Sequence, residues 1–144
     1  MNAQFHYVSA SPWQLYLPLA EFVSTNGFPE GTFHLKPFRV KDESFFDLFK
    51  SPENYKRGVI GPLLKRFPKR RFVLVGDSGE RDPEIYGALA RQYRDQVKLV
   101  LIRDVTREGA DAARYRKAFR DVPAGRWLIF EKPEEVKAII RLEN

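Results

Sequence analysis

Arg71-Phe72-Val73-Leu74-Val75-Gly76-Asp77-Ser78-Gly79-Glu80-Arg81-Asp82-Pro83-Glu84 joins an apolar run to a helix start through a turn that carries two glycines and several charges. The run Arg71–Gly76 has the length and β-branched content of a buried strand, and it delivers Asp77 to its carboxyl end. Asp82-Pro83-Glu84 opens a helix, with Pro83 where no backbone donor is needed and Ile85, Leu89 and Tyr93 at helical spacing behind it. Strand, tight turn and helix in this order form the first half of a βαβ unit.

The same alternation extends in both directions. Phe5–Ser9, Thr32–Phe38, Val97–Arg103 and Trp127–Phe130 read as further strands, separated by longer amphipathic stretches. Ser11-Pro12-Trp13-Gln14 reads as a helix start, with Ser11 as N-cap, Pro12 first in the helix and Gln14 returning a capping-box bond. Pro18 should then kink or restart that helix. Gly27-Phe28-Pro29-Glu30-Gly31 is a turn. Ser51-Pro52-Glu53-Asn54 precedes a helix whose Tyr55, Val59, Leu63 and Phe67 share a stripe, and Pro133 opens a last helix with Val136, Ile139 and Ile140. With no internal repeat or linker, the 144 residues read as a single domain. The expected fold is α/β, a three-layer Rossmann-like, mostly parallel sheet with helices on both faces.

Composition narrows the function classes. A chain with 43% hydrophobic and 31% charged residues is neither disordered nor fibrous. It has no cysteine, which removes disulfides, zinc–thiolate sites, iron–sulfur clusters and a thiol nucleophile. His6 and His34 sit within strand-like runs and read as packing or surface residues rather than ligands. No apolar run approaches the roughly 20 residues of a membrane span, and Met1-Asn2-Ala3-Gln4 lacks signal-peptide features, so a cytoplasmic location is expected. A net charge of +6 favours anionic partners. Large aromatic residues such as Trp13, Tyr16 and Phe22 read as core.

The chemistry gathers where carboxyl ends of parallel strands meet amino ends of helices, a crevice whose free N–H groups favour anions. Asp77 and Asp82, with Glu84 nearby, suit a hard divalent cation such as Mg2+, which takes oxygen ligands and substrate phosphate. Asp82 also reads as an N-cap needing no metal; Asp77, between a strand and a glycine-containing turn, is harder to explain by solvation alone. Ser9, at the end of the first strand in Val8-Ser9-Ala10-Ser11, can hydrogen-bond a phosphoryl oxygen, with Ser11 beside it. Lys56 lies early in its helix, where the dipole disfavours a cation unless an anion is near; a solvated surface lysine fits the pattern equally well. Lys65-Arg66-Phe67-Pro68-Lys69-Arg70-Arg71 is a basic loop that suits acidic lipid headgroups or plain solvation, and no nucleic-acid partner is expected from it. Gly76-Asp77-Ser78-Gly79 matches the tetrapeptide around a trypsin-like nucleophile, but a strand–turn–helix setting is wrong for that chemistry.

Tyr7-Val8-Ser9-Ala10-Ser11-Pro12-Trp13-Gln14-Leu15-Tyr16, then Phe28-Pro29-Glu30-Gly31, then Lys56 ahead of Phe67-Pro68, then Phe72 to Tyr86, resembles the catalytic domain of actin patch phosphatidate phosphatases, within the haloacid dehalogenase superfamily. The resemblance runs from about Phe5 to about Val105. It implies a Mg2+-dependent phosphatase acting on phosphatidate or a similar phosphate ester. It further implies that Ser9 binds the transferring phosphoryl group and Lys56 offsets its charge, both as catalytic groups. Ser9, Ser11 and Lys56 would bind substrate, and Asp77 and Asp82 would hold the metal. The family's first motif, an aspartate followed two residues later by another, has no counterpart here, since nothing before Ser9 is acidic. The resemblance therefore implies a haloacid dehalogenase-like sheet missing its first central strand, in an N-terminally incomplete domain that is inactive alone. A non-catalytic phosphate- or acidic-lipid-binding domain is the alternative. A gap between the strands ending at Ser9 and Asp77 leads to three expectations: a truncated chain, a strand supplied by a partner or second copy (a homodimer through unpaired edges), or a rearranged sheet in which the two strands pair directly.

Overall fold

The computed structural model describes residues 3–37 and 52–142. Two compact units divide the chain, Met1–Pro62 and Leu63–Asn144.

In the first unit, β1 (Phe5–Pro12) pairs in parallel with β2 (Gly31–Lys36). A 3-10 turn (Trp13–Leu15) and helix α1 (Tyr16–Thr25) connect them. β1 runs past Ser9, so Ser11 does not cap a helix: it lies inside the strand, and Pro12 holds the N-cap position of the 3-10 turn with extended backbone and no side-chain cap bond. Pro18 restarts rather than kinks the helix, because it falls in the first turn of α1, where its missing donor costs nothing. Gly27, at φ +70°, ends α1, and the Phe28 amide reaches back to the Val23 carbonyl at 3.0 Å, the Schellman closure that an L-side chain at Gly27 would strain. The aromatic residues expected in the core are exposed instead: Trp13 keeps 60% of its surface, and Tyr16 and Phe22 are also exposed. A two-stranded sheet offers too little area to cover a helix face of that size.

Helix α2 (Pro52–Arg66) crosses the boundary between the units. The expectation about Ser51 lies outside the described residues. Its buried stripe is Tyr55, Lys56, Ile60 and Leu64, displaced by about one residue from the Tyr55, Val59, Leu63, Phe67 pattern; Phe67 is exposed.

The second unit is a three-stranded parallel sheet in the order β3 (Phe72–Asp77), β4 (Val97–Arg103), β5 (Trp127–Phe130). Helix α3 (Asp82–Gln92) connects β3 to β4; α4 (Ala113–Ala118) and a 3-10 turn (Ala124–Arg126) connect β4 to β5; α5 (Pro133–Leu142) follows. β4 is covered on both faces, as a central parallel strand must be. Leu99 and Leu101 pack with Phe130, Leu128 and Val136 of α5, while Val100 and Ile102 point the opposite way and are fully buried. The α/β class with parallel strands and flanking helices thus agrees with the sequence.

β3 differs from the expectation of a buried strand. Leu74 is buried, and the Gly76 backbone lies against Tyr86 of α3, but Val73 and Val75 on the other face are 54% and 61% exposed. β3 is an edge strand of its sheet, paired only with β4 among the described residues. The strands carrying Ser9 and Asp77 belong to separate sheets, one in each unit. At the amino end of β3, the amide of Phe72 bonds the Gln96 carbonyl, and the Gln96 side chain donates to the carbonyls of Leu64 and Phe67, fixing the start of the exposed basic loop.

The α3–α4 contact is close enough to be sensitive. A Cβ on Gly87 would collide with the Ala118 carbonyl oxygen and sit 2.9 Å from its carbon, at a backbone group that Arg91 already binds at 2.7 Å. Gly87→Ala is expected to lower the stability of the second unit by about 1–3 kcal/mol, read as a shift in the denaturant midpoint. An unchanged midpoint would show that the two helices separate at no cost.

Candidate functional site

β3 and β4 end together, Asp77 opposite Arg103, and the chain turns at once into α3. Asp82 is the first residue of α3, with Arg81 in the N-cap position and Pro83 behind. The Asp82 side chain folds back on the strand: one carboxylate oxygen accepts the Asp77 amide at 3.2 Å, and the residue is 3% exposed. This is possible because position 76 is glycine. A Cβ there would collide with the Asp82 carboxylate and stand 2.7 Å from the Tyr86 ring. The Asp77 carboxylate accepts the Gly79 amide at 2.8 Å, closing the turn. Burial pushes the Tyr86 phenol well above its ordinary pKa, helped by the negative charges of Asp82, Asp77 and Glu80, which therefore converge on one place.

Glu84 is not part of a donor set. Arg114 of α4 donates to both of its oxygens, at 2.9 and 3.2 Å, and Arg81 approaches at 3.6 Å. Burial opposes the Glu84 carboxylate, but these hydrogen bonds and charges win and hold its pKa below the ordinary value. Of the three carboxylates singled out from the sequence, Asp77 and Asp82 remain. No group of three or more His, Cys, Asp or Glu side chains able to hold a metal forms among the described residues. One or two carboxylates with waters and a substrate phosphate is the usual donor set of Mg2+, so the residues present fit that ion.

Beside this turn lies a buried polar hub that the sequence does not announce. Ser78 is 1% exposed; its amide donates to the Arg103 carbonyl, and its hydroxyl accepts the amides of Val105 and Thr106, each at 3.0 Å. The same hydroxyl donates to Asp104 at 3.2 Å, so Ser78 is not a nucleophile waiting for substrate. Asp104 also accepts from the Tyr115 hydroxyl at 2.9 Å and the amides of Gly109 at 2.7 Å and Glu108 at 3.3 Å. Burial alone would raise the Asp104 pKa, yet these bonds carry it below the ordinary value.

Ser9, Ser11 and Lys56 lie in the first unit. The β1–β2 register slips between Ser9 and Pro12, and within that irregularity the Ser9 hydroxyl donates to the Ser11 hydroxyl at 2.9 Å while accepting the Ser11 amide at 3.1 Å. Lys56 is 7% exposed, which removes the solvated-surface reading. Lys36, at the carboxyl end of β2, is equally buried and has its ammonium 5.9 Å from the centre of the Tyr55 ring. Burial lowers its pKa. A lysine ending an apolar strand was the available signal for it. The two histidines bond each other across β1 and β2 at 3.1 Å.

Residues 1–104 match the family model described as "Phosphatidate phosphatase APP1, catalytic domain", and the chain belongs to that family. Over 102 residues it is 39% identical to the Saccharomyces cerevisiae protein named "Phosphatidate phosphatase APP1", covering 71% of this chain and 17% of that one. Over 106 residues it is 30% identical to a Schizosaccharomyces pombe protein named "Uncharacterized protein C29B5.04c", covering 73% of this chain and 17% of that one. The chain thus spans about a sixth of the length of these relatives. No solved structure matches it significantly.

Proposed function

We propose that the chain is part of a Mg2+-dependent phosphatase domain of haloacid dehalogenase type, acting on phosphatidate or a similar phosphomonoester. The observation that carries this is the folding-back of Asp82 over Gly76 onto the Asp77 amide, which sets two carboxylates at the carboxyl end of a parallel strand in a chain of this family. Asp77 and Asp82 hold the cation, which when bound neutralises phosphate charge. Ser9 and Ser11 offer hydroxyls to the phosphoryl oxygens, and Lys56 offsets their charge. The two units act as one catalytic domain, a reading supported by the family match running unbroken through Pro62. A covalent mechanism also needs a nucleophilic carboxylate, and no acidic residue precedes Glu21, so this chain alone does not turn over. The missing group would come from residues outside this chain; separately, the single-sided pairing of β3 among the described residues supports strand-edge pairing with a partner or a second copy. No helix among the described residues is long and apolar enough to cross a membrane; we place the domain in the cytoplasm, with peripheral contact to acidic lipid. Because the nucleophile is absent, a non-catalytic phosphate- or acidic-lipid-binding domain is the second reading.

Phosphate release from phosphatidate micelles and from an aryl phosphate, with Mg2+, is expected to be nil, whereas equilibrium dialysis should show Mg2+-dependent retention of the aryl phosphate. Lys56→Ala should weaken that retention at least about 10-fold, the worth of one charge-assisted hydrogen bond. Robust turnover abolished by Asp77→Asn would overturn the claim about the nucleophile. Binding to phosphatidate vesicles that is indifferent to Mg2+ would favour the second reading.

A further inference from the structure

Arg114 lies on α4, more than thirty residues beyond the turn that links Asp77 to Asp82, yet its guanidinium is committed to that turn. Its Nη1 donates to the Ser78 carbonyl at 2.7 Å and to Glu108 at 3.2 Å; its Nη2 donates to the Glu80 carbonyl and to Glu84 at 3.2 Å; its Nε donates to Glu84 at 2.9 Å. All five guanidinium donors are therefore used, and none is left for a substrate phosphate. Two of the acceptors are carbonyls inside the turn, which lies outside the strands and helices and is otherwise tied to β4 through the Ser78 amide. The others anchor the group to the first turn of α3 and to the loop after β4, which the Asp104 hub holds rigid.

We propose that Arg114 is a positioning residue: by bridging the Ser78 and Glu80 carbonyls to Glu84 and Glu108 it fixes the turn so that Asp77 and Asp82 present their carboxylates to one cation, and it withdraws Glu84 from the ligand set. The inference rests on Asp77 and Asp82 as Mg2+ ligands. It places a cation beside the site that supports the ligands without touching the substrate, the kind of outer partner whose removal weakens metal affinity about 10- to 100-fold. Lysine cannot replace it, because one ammonium cannot span acceptors spread along both edges of a planar fork.

The test compares the full chain with Arg114→Lys, using Arg116→Ala on the exposed side of the same helix as a control for lost charge. MgCl2 titration calorimetry should show at least about 10-fold weaker binding in Arg114→Lys and wild-type affinity in the control. Amide hydrogen exchange should accelerate about 10-fold or more at Asp77 and Gly79, whose N–H groups bond the site carboxylates, with β4 amides unchanged. A folded Arg114→Lys chain with wild-type Mg2+ affinity, or with wild-type exchange at both amides, overturns the proposal. If the wild-type chain takes up no Mg2+, the ligand assignment fails, and exchange alone decides whether Arg114 fixes the turn. If Arg114→Lys does not fold, Glu84→Gln loosens the same bridge from its other side and is judged by the same two measurements.

Discussion

Asp77→Asn is expected to reduce Mg2+ affinity at least about 100-fold, close to 2.7 kcal/mol, while leaving the melting temperature within about 3 °C. The two halves of this expectation come from the same geometry. Asp77 engages the turn through one hydrogen bond, from the Gly79 amide to its Oδ1, and an asparagine carbonyl can accept that bond unchanged. What disappears is one of two negative charges, and a hard cation held by two carboxylates loses half its charged ligands. Asp82→Asn should behave differently: it alters a group that is almost wholly buried and receives the Asp77 amide, so stability should fall with affinity. Calorimetric titration beside thermal unfolding measures both. An Asp77→Asn chain that binds Mg2+ like the wild type would remove Asp77 from the site.

The largest loss of stability is expected for Asp104→Asn, about 3 kcal/mol at neutral pH, from urea unfolding followed by circular dichroism. Asparagine keeps one acceptor oxygen and turns an NH2 toward donors: toward the Gly109 amide if it takes the place of Oδ2, or toward the Tyr115 and Ser78 hydroxyls and the Glu108 amide if it takes the place of Oδ1. Because the folded state holds the Asp104 pKa below its ordinary 3.8, the unfolded chain binds the proton more tightly. The carboxylate's contribution is therefore complete above that value and is lost as pH falls through the lower folded pKa. Glu84, also held below its ordinary 4.5, adds a loss of the same sign. The gap between wild type and Asp104→Asn should narrow as pH falls below about 4; a gap that stays constant down to pH 2 would mean that Asp104 is not ionised in the folded protein.

Much of the second unit was legible in advance. Val97–Arg103 and Trp127–Phe130 are strands with the boundaries their apolar runs suggested, since a parallel strand covered on both faces is a continuous hydrophobic segment. The turn from Asp77 to Asp82 followed from its glycines and Pro83. What periodicity could not show is contact between distant residues. Nothing local distinguishes Arg114 from Arg116, or Asp104 from Asp111, until the sheet brings β3 and β4 to the same end. The misplaced cap at Ser11 has a comparable cause: a Ser-Pro pair satisfies a helix start on paper, but an irregular pairing with β2 kept the strand going through Pro12. The exposure of Trp13 and Val75 was hidden because hydrophobicity reports what prefers to be covered, not what covers it.

The basic loop Lys65–Arg71 feeds β3 at Phe72, and Asp77 stands at the strand's far end, five residue steps or about 17 Å away. If these cations rested on an anionic bilayer, the carboxylates would be lifted off the surface and turned toward the aqueous side. Attraction to the membrane and access to a membrane-bound headgroup thus favour opposite orientations of the same unit. If the proposed substrate is a lipid, it would have either to rise out of the bilayer plane or to meet the protein through a surface other than its most basic loop.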